Sequence, residues 1–372
     1  MTAAPTAAAT RRRGGDVPAA IRAFMELHGG AVFFGGMVLA FIALSAVEID
    51  EHGVTQAGSQ LVTALQRGAI YALIAVGYTM VYGIIELINF AHADVFTLSA
   101  FYSVYIAEGL ARIGIPINDL ATSHGTGGLI LALAIIFPLT MIAAGMTGVV
   151  IERVAYRPLR NAPRLAPLIT AIGVSFLLEG IMFAFFIPPG NAIGGNFPTG
   201  TDNWISGTAF TIGTVAVGNN DLFVILTALG MMFLLHSFIK FSRLGKAMRA
   251  TAQDRDAALI SGININGTIA ATFFIGSALA GAAAIVYSIY YHLVQWNLGF
   301  TIGIVAFTAA VLGGIGNIVG AGLGGFLIGL VSVLATELLG GAWSDSMIFV
   351  TLILVLTLRP AGLLGMRVPD RA

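Results

Sequence analysis

Long apolar runs, separated by short polar stretches, dominate this chain. The runs cover about 31–48, 61–85, 94–111, 129–150, 167–187, 222–240, 268–290, 300–315, 318–338 and 346–358. A helix needs roughly 20 apolar residues to cross the hydrocarbon core of a bilayer. The pattern therefore predicts an all-α integral membrane protein with about nine to ten transmembrane segments. One or two of these are expected to be broken or re-entrant, because the stretch 300–338 is interrupted only by "GGIGN" at 313–317.

The polar stretches divide the chain. Residues 1–55 predict an N-terminal cytoplasmic extension followed by an extra membrane anchor, and a signal-like segment that is removed is the alternative. Residues 56–366 form the transmembrane domain, and 367–372 form a cytoplasmic tail. The longest internal polar stretch, about 188–220, predicts an outer loop with little structure of its own.

Charge placement orients the predicted segments. Sixteen of the 18 Lys and Arg residues fall in 1–30, 151–166, 240–267 and 359–372. Basic residues accumulate in cytoplasmic loops of membrane proteins. The pattern therefore predicts that both the N- and C-termini are cytoplasmic.

Composition narrows the function classes. The mean hydropathy is +0.91 and 57% of the residues are hydrophobic, which is more apolar surface than a soluble fold of this length buries. The net charge of zero argues against a strongly basic nucleic-acid binder, and the absence of Cys excludes disulfides and thiolate sites. No zinc-protease, serine-hydrolase or ATP-binding phosphate-loop motif is present, so no catalytic or metal site is predicted.

One polar segment, "RATAQDRDAALISGI" (249–263), stands between two apolar runs. Its apolar positions Met248, Ala252, Leu259 and Ile263 share one face at helical spacing. Gly262 follows where a left-handed helix cap favours glycine. The segment predicts a short amphipathic helix at about 249–262, for which a solvated connector is the plainer interpretation.

A resemblance to a known family changes that interpretation. The pattern Asp256-Ala257-Ala258, three residues, Gly262 resembles the E-A-A-x-x-x-G signature of ABC importer membrane subunits, with Asp in place of Glu. The chain also resembles the branched-chain amino acid ABC transporter permease (LivH type) from about residue 60 to 366. The blocks that carry this resemblance are "GAIYALIAVGYTMVYGIIELINFAHADVF" (68–96), "IERVAYRPLRNAPRLAPLITAIGVSF" (151–176), "SRLGKAMRATAQDRDAALISGIN" (242–264), "AFTAAVLGGIGNIVGAGLGG" (306–325) and "LRPAGLLG" (358–365).

Three residues depart from the family pattern. Glu86 and Ala93 stand where Gly is usual, and Glu179 stands where a neutral amide is common. These departures are expected to alter local packing or the solute that is carried.

The resemblance implies a translocation subunit of an ATP-driven importer in a bacterial inner membrane. Its expected partners are a second permease of the LivM type, two ATP-binding subunits of the LivG and LivF types, and a periplasmic substrate-binding protein, with ATP and Mg held by the ATP-binding subunits. The expected solutes are leucine, isoleucine and valine; urea, short amides or aromatic acids are alternatives, as is a transporter or channel that acts alone. The residues expected to couple to the ATPase are Arg249, Asp254, Asp256, Ala257, Ala258 and Gly262.

Candidate residues within the membrane form three further groups. Ionisable groups there are costly and face the bundle interior or water. The predicted substrate pathway contains Glu179 and the helix break formed by Gly313, Gly314, Gly316 and Asn317. Asn89, His92 and Asp94 are interpreted as a polar hairpin, in preference to a substrate or proton station. Gly320 and Gly324 continue a four-residue glycine spacing that predicts close helix packing.

Overall fold

The computed structural model describes residues 39, 53–87, 89–160, 162–163, 165–186, 196–359 and 361–365. Apart from Leu39, the predicted anchor run 31–48 lies outside the described residues, as does the predicted tail at 367–372.

The described part is built almost entirely of helices. The α-helices are α1 (Gly53–Ile85), α2 (Ala91–Arg112), α3 (Ile117–Ser123), α4 (Gly125–Ile151), α5 (Leu165–Ile181), α6 (Asn219–Phe241), α7 (Arg243–Gln253), α8 (Arg255–Ile260), α9 (Ile265–Tyr291), α10 (Leu298–Gly313), α11 (Ile318–Leu339) and α12 (Ser344–Leu358). Short π-helical turns extend α4 at Glu152–Tyr156 and α5 at Met182–Phe186, and 3₁₀ turns lie at Arg157–Leu159 and Gly341–Trp343.

Polar side chains start several of these helices. Ser242 caps α7 through Gly245 N–H, Asn264 caps α9 through Gly267 N–H, and Asn317 caps α11 through Gly320 N–H. A side-chain oxygen at this position satisfies one of the first backbone N–H groups, which have no partner within the helix. These caps divide the apolar pattern into separate helices where the sequence offers a polar residue.

The core lies where α1, α2, α9, α10 and α11 pack together. In their most apolar windows, 83% of the α1 residues and 78% of the α9 residues are buried, against 17% for α5 and α6. Helices α1 and α9 are therefore central, and α5 and α6 are peripheral with an apolar surface facing outward.

Within the part of the chain that the structure describes, six helices are long and apolar enough to cross a membrane. They are Thr55–Ile85, Gly125–Leu159, Leu165–Phe186, Asn219–Phe241, Ile265–Tyr291 and Ile318–Leu339, with shorter apolar helices at Leu298–Gly313 and Gly341–Thr357. The protein is thus a predominantly helical, multi-pass membrane protein, and the expected nine to ten spans stay a prediction.

The polar stretch 188–220 has more structure than the sequence predicted. It contains β1 (Asn196–Pro198) and an antiparallel pair, β2 (Thr208–Ile212) with β3 (Val215–Gly218). Strand β1 pairs with β4 (Leu293–Gln295), which follows α9. The expectation of a nearly structureless loop was wrong because its backbone finds pairing partners, one of them far along the chain.

Candidate functional site

The polar segment at 249–262 forms parts of two helices instead of one. Helix α7 ends at Gln253, and Asp254 adopts an extended conformation with φ −156° and ψ 114°. The Asp254 carboxylate then accepts hydrogen bonds from the N–H groups of Asp256 and Ala257, at 2.9 and 3.0 Å, and starts α8. The prediction of a continuous helix was wrong, because an Asp that caps a new helix satisfies more backbone N–H groups than the same Asp within a helix.

The end of α8 has the glycine cap that the sequence predicted. Gly262 has φ +81°, and the N–H of Ile263 donates to the carbonyl of Ala258 at 3.0 Å. This is the hydrogen bond of a left-handed helix termination, which favours glycine. A Cβ atom at Gly262 would meet nothing within 4 Å, so the turn is open on its outer side.

Because the helix is interrupted at Asp254, the apolar side chains of Leu259 and Ile260 point outward. Leu259 is 62% exposed and Ile260 is 88% exposed, whereas Ala258 is buried against the protein. The helical spacing predicted that Leu259 shares a face with Met248, but Met248 is buried and Leu259 is exposed. Asp256 is exposed beside the pair. Helix α8 therefore presents an apolar tip with a charged edge, at the end of the molecule predicted to be cytoplasmic.

Arg255 connects this tip to the end of α1. Its guanidinium donates to the backbone carbonyls of Ile85, at 3.0 Å, and of Ile84, at 3.4 Å. The last carbonyls of a helix have no partner within it and carry the negative end of the helix dipole. A cavity of about 360 Å³ adjoins this contact and is lined in part by Glu86, Arg160 and Phe273.

A buried carboxylate fixes the neighbouring connector. Glu152 is fully buried, binds Arg157 at 2.9 Å and also binds Arg160, which in turn donates to Asn266 at the start of α9. Burial lowers the pKa of the Arg160 guanidinium, and the charge of Glu152 opposes that shift. The cluster joins the end of α4 to the start of α9.

Replacing Glu152 by Gln should destabilise the protein, because Arg160 would lose its carboxylate partner in a half-buried position. Breaking a fully buried ion pair costs roughly 3–5 kcal/mol, and the partial exposure of both arginines reduces this to about 1–3 kcal/mol. A thermal-denaturation measurement in detergent should show a fall in Tm of several degrees. Glu108→Gln, which changes an exposed carboxylate on α2, is the control and should leave Tm unchanged. Equal Tm values for both variants would contradict a stabilising role for this cluster.

The chain between α1 and α2 turns sharply. Glu86 has φ +55°, a left-handed conformation that glycine adopts most easily. This conformation gives a physical reason for the Gly that the family resemblance leads us to expect at position 86. Asn89 is buried and its Oδ1 accepts a hydrogen bond from the Tyr156 hydroxyl at 3.0 Å. Asn89 thus ties the turn to the connector that follows α4.

His92 and Asp94 lie deeper than the predicted hairpin required. Both are fully buried at the start of α2, and the His92 ring contacts Tyr78, with ring centroids 4.8 Å apart. A Cβ atom at Gly77, eight residues before the end of α1, would overlap the His92 ring. Helix α2 therefore begins alongside Gly77, about two helical turns before the end of α1. The His92 ring is thus packed between Tyr78 and Gly77, and its interpretation as a turn-fixing residue stays a prediction.

Asp94 reaches across to α5. One of its carboxylate oxygens accepts a hydrogen bond from the Ser175 hydroxyl, and the other has no partner among the described residues. Glu179, one helical turn beyond Ser175, is half-buried. Asp94 and Glu179 were predicted to belong to separate groups, and Ser175 was not predicted, since a serine in an apolar helix gives no signal by itself.

The predicted helix break at 313–317 is present, but the contacts described for it are with other residues of this chain. Helix α10 ends at Gly313, and Gly314 has φ +103°. Leu364 N–H donates to the Gly313 carbonyl at 3.0 Å, and Asn317 Nδ2 donates to the Leu364 carbonyl at 2.9 Å. The backbone groups of this turn therefore hold the C-terminal segment, and the passage of substrate along Gly313, Gly314, Gly316 and Asn317 stays a prediction.

Gly320 and Gly324, which continue the four-residue glycine spacing, lie between α11 and α10. A Cβ atom at Gly320 would overlap the Gly313 carbonyl, and one at Gly324 would overlap the Ala309 carbonyl. These two glycines allow α11 to pack closely on α10.

Comparisons with known proteins agree with one another. The family model described as the permease component of the branched-chain amino acid transport system matches residues 60–356. The high-affinity branched-chain amino acid transport system permease protein BraD of Pseudomonas aeruginosa is 42% identical over 309 residues, which cover 82% of this chain and 95% of BraD. The corresponding protein LivH of Escherichia coli K12 is 39% identical over 306 residues, which cover 82% and 94% of the two chains. No solved structure matches the chain.

Proposed function

Because the chain belongs to the family of branched-chain amino acid transport permeases, we propose that it is the translocation subunit of an ATP-driven importer for leucine, isoleucine and valine. The relatives BraD and LivH are named as permease proteins of high-affinity transport systems for branched-chain amino acids, which supports these solutes over urea, short amides or aromatic acids. In the proposed assembly, a LivM-type permease and a periplasmic substrate-binding protein complete the translocation machinery. LivG- and LivF-type subunits bind ATP and Mg and carry out the hydrolysis.

The main support for this proposal is the exposed apolar tip of α8, which lies within the polar segment 249–262. Ile260 is 88% exposed and Leu259 is 62% exposed. Adjacent exposed apolar side chains with a polar rim are typical of a surface that contacts another protein or a membrane. The open turn at Gly262 allows a partner backbone to approach closely. A cleft on an ATP-binding subunit is the partner that the family relationship supplies.

The charged residues of the segment divide into two roles in this account. Asp256 and Arg249 are exposed and would set the orientation of the docked subunit. Asp254 caps α8, and the small residues Ala257 and Ala258 allow the helix to lie close to its neighbours. A movement of the ATP-binding subunit would reach α1 through the bonds from Arg255 to the carbonyls of Ile84 and Ile85. The membrane pathway then becomes a two-state element that a distant ligand biases.

The same proposal implies an orientation of the subunit in the membrane. The stretches 151–166 and 240–267 would face the cytoplasm of a bacterium, as would both termini, with the subunit in the inner membrane. The basic residues of these stretches support that orientation.

Replacing Ile260 by Asp should prevent the ATP-binding subunits from binding, because it places a charge in the centre of an apolar contact. We expect co-purification of those subunits to fall at least about tenfold, as a buried unpaired charge costs more than 1.4 kcal/mol. The permease should elute normally in size-exclusion chromatography, since Ile260 makes little contact within the protein. Ile260→Val is the matched control. If Ile260→Asp retained the ATP-binding subunits as well as Ile260→Val does, the docking proposal would fail.

A further inference from the structure

The outward face of α6 changes from apolar to basic along its length. Leu226, Leu229, Phe233, His236 and Lys240 follow one another at intervals of three or four residues, so they share one face of the helix. All five side chains are exposed, and Phe233 is 70% exposed. Because α6 is peripheral, this face is directed away from the core. The order from leucine and phenylalanine through histidine to lysine matches the order from the hydrocarbon core of a bilayer to its headgroups.

Helix α7 adds basic residues next to Lys240. A single residue separates α6 from α7, and Arg243 and Lys246 are exposed on α7. Another side of α7 is buried, and a Cβ atom at Gly245 would overlap the backbone of Ile239 in the last turn of α6. This close approach holds α7 against the end of α6, so the basic side chains of the two helices lie at one junction.

These basic residues have no acidic partner in the part of the chain that the structure describes. The carboxylates there form no ion pair with Lys240, Arg243 or Lys246, and the sequence contains no Asp or Glu from 222 to 253. The Lys240 ammonium lies over the ring of Phe241, 5.3 Å from its centroid, and Phe241 is itself 71% exposed. The junction therefore combines an excess of positive charge with an exposed apolar surface.

From these observations we propose that the α6–α7 junction binds anionic phospholipids. The phosphate of the lipid accepts hydrogen bonds from Lys240 and Arg243, and its acyl chains lie along Phe233 and Leu229. Basic residues next to a membrane-spanning helix attract anionic lipids. A phospholipid joins its phosphate and its acyl chains in one molecule, in the same order in which the cations and the apolar face follow one another along α6.

This surface belongs to the leaflet nearest α7, which is the cytoplasmic leaflet in the proposed orientation. Lipid binding at the junction does not depend on which solute the protein carries. Lys246 lies one turn of α7 beyond Arg243 and adds to the positive charge that the lipid meets.

The absence of cysteine in the chain allows the lipid beside this face to be measured directly. Phe233→Cys places one thiol on the exposed face of α6, about 10 Å before Lys240 along the helix. A bimane label on this thiol is quenched by neighbouring lipids whose acyl chains are brominated. The matched control is Leu226→Cys, on the same face two turns earlier, since Lys240 is the only Lys or Arg within α6.

Each labelled variant is assembled with its partner subunits in nanodiscs that contain phosphatidylcholine and phosphatidylglycerol, of which one or the other is brominated. At position 233, we expect phosphatidylglycerol to associate at least about fivefold more strongly than phosphatidylcholine, because each basic residue near a membrane surface favours an anionic lipid by roughly that factor. The label at position 226 should show little preference. Adding Lys240→Gln and Arg243→Gln should reduce the preference at 233 to the value at 226, whereas Arg112→Gln, an exposed basic residue at the end of α2, should leave it unchanged.

Three results would overturn the proposal. They are equal quenching by the two lipids at position 233, a preference that survives the loss of Lys240 and Arg243, and a label at 233 that neither lipid quenches in the assembled transporter. The last result would show that another subunit covers this face of α6. Because the replaced side chains are exposed, each variant should elute normally in size-exclusion chromatography, so that a lost preference reports on lipid and not on folding.

Discussion

The Arg255→Met variant should hydrolyse ATP at close to the normal rate in the assembled transporter and import leucine at less than about a tenth of the normal rate. The guanidinium of Arg255 joins α8 to the last carbonyls of α1 at 3.0 and 3.4 Å. Hydrogen bonds from a charged donor contribute about 1.5–3 kcal/mol each, and a loss of 1.4 kcal/mol corresponds to a tenfold change. The tip at Leu259 and Ile260 would still bind the ATP-binding subunits, but its movement would no longer reach α1.

The measurement is leucine uptake and ATP hydrolysis by the same proteoliposomes. Lys246→Met removes a basic charge from the exposed side of α7 and should preserve both activities. In the structure a single nitrogen, Nη2 of Arg255, donates to both carbonyls. Arg255→Lys keeps the charge on a flexible stem that is less well oriented for these bonds, and should give intermediate uptake. If ATP hydrolysis fell in proportion to uptake, Arg255 would belong to the docking surface and not to the connection with α1.

The Gly325→Val variant should fail to fold stably. Helices α1 and α11 form the most extensive contact in the described structure, and a Cβ atom at Gly325 would overlap the backbone of Ala72. Because the atoms in the way are backbone atoms, the two helices must move apart and lose packing along their length. Overpacking costs typically 1–3 kcal/mol, and we expect about 3 kcal/mol here.

Thermal denaturation of the purified subunit should show this as a fall in Tm of roughly 5–10 °C, together with a low yield. Gly230→Val is the matched control, because Gly230 lies in the middle of α6 with no atom within 4 Å of an added Cβ. Its Tm should stay within a degree or two of the normal value. A Gly325→Val protein as stable as Gly230→Val would show that α1 and α11 do not pack as described.

Much of the helical architecture follows from the sequence alone. Each apolar run between 61 and 358 corresponds to a helix, since an apolar segment in lipid must satisfy its backbone N–H and C=O groups internally and a helix does so. The cap at Gly262 and the break after Gly313 also follow from local chemistry, because glycine adopts positive φ angles at little cost.

The sequence contains a signal for the division between α7 and α8 at Asp254, but the apolar periodicity obscured it. Asp is a preferred N-cap, and Asp256 in the following turn favours the positive end of a new helix dipole. The apolar residues from Met248 to Ile263 were predicted to share one face because their spacing was counted as if a single helix ran through Asp254. As a result, the outward position of Leu259 and Ile260 was not predicted.

Contacts between distant parts of the chain were beyond a single sequence. Asp94 and Ser175 are 81 residues apart, and Arg255 lies 170 residues from Ile85. Neither pair has a local pattern that links its members, because both contacts arise from the way in which the helices pack. Glu86 is an intermediate case: the family resemblance marked it as an unusual residue, and its positive φ supplies the physical reason.

We propose that the tip of α8 contacts an ATP-binding subunit on the cytoplasmic side of the membrane, and a single cysteine at this tip tests the contact directly. Ile260→Cys introduces a single thiol into a chain that has none, so its position can be read without ambiguity. In intact cells, we predict that a membrane-impermeant maleimide does not label position 260, and that a short bifunctional cross-linker joins it to an ATP-binding subunit. Labelling from outside the cell, or cross-links to lipid alone during ATP turnover, would contradict the account.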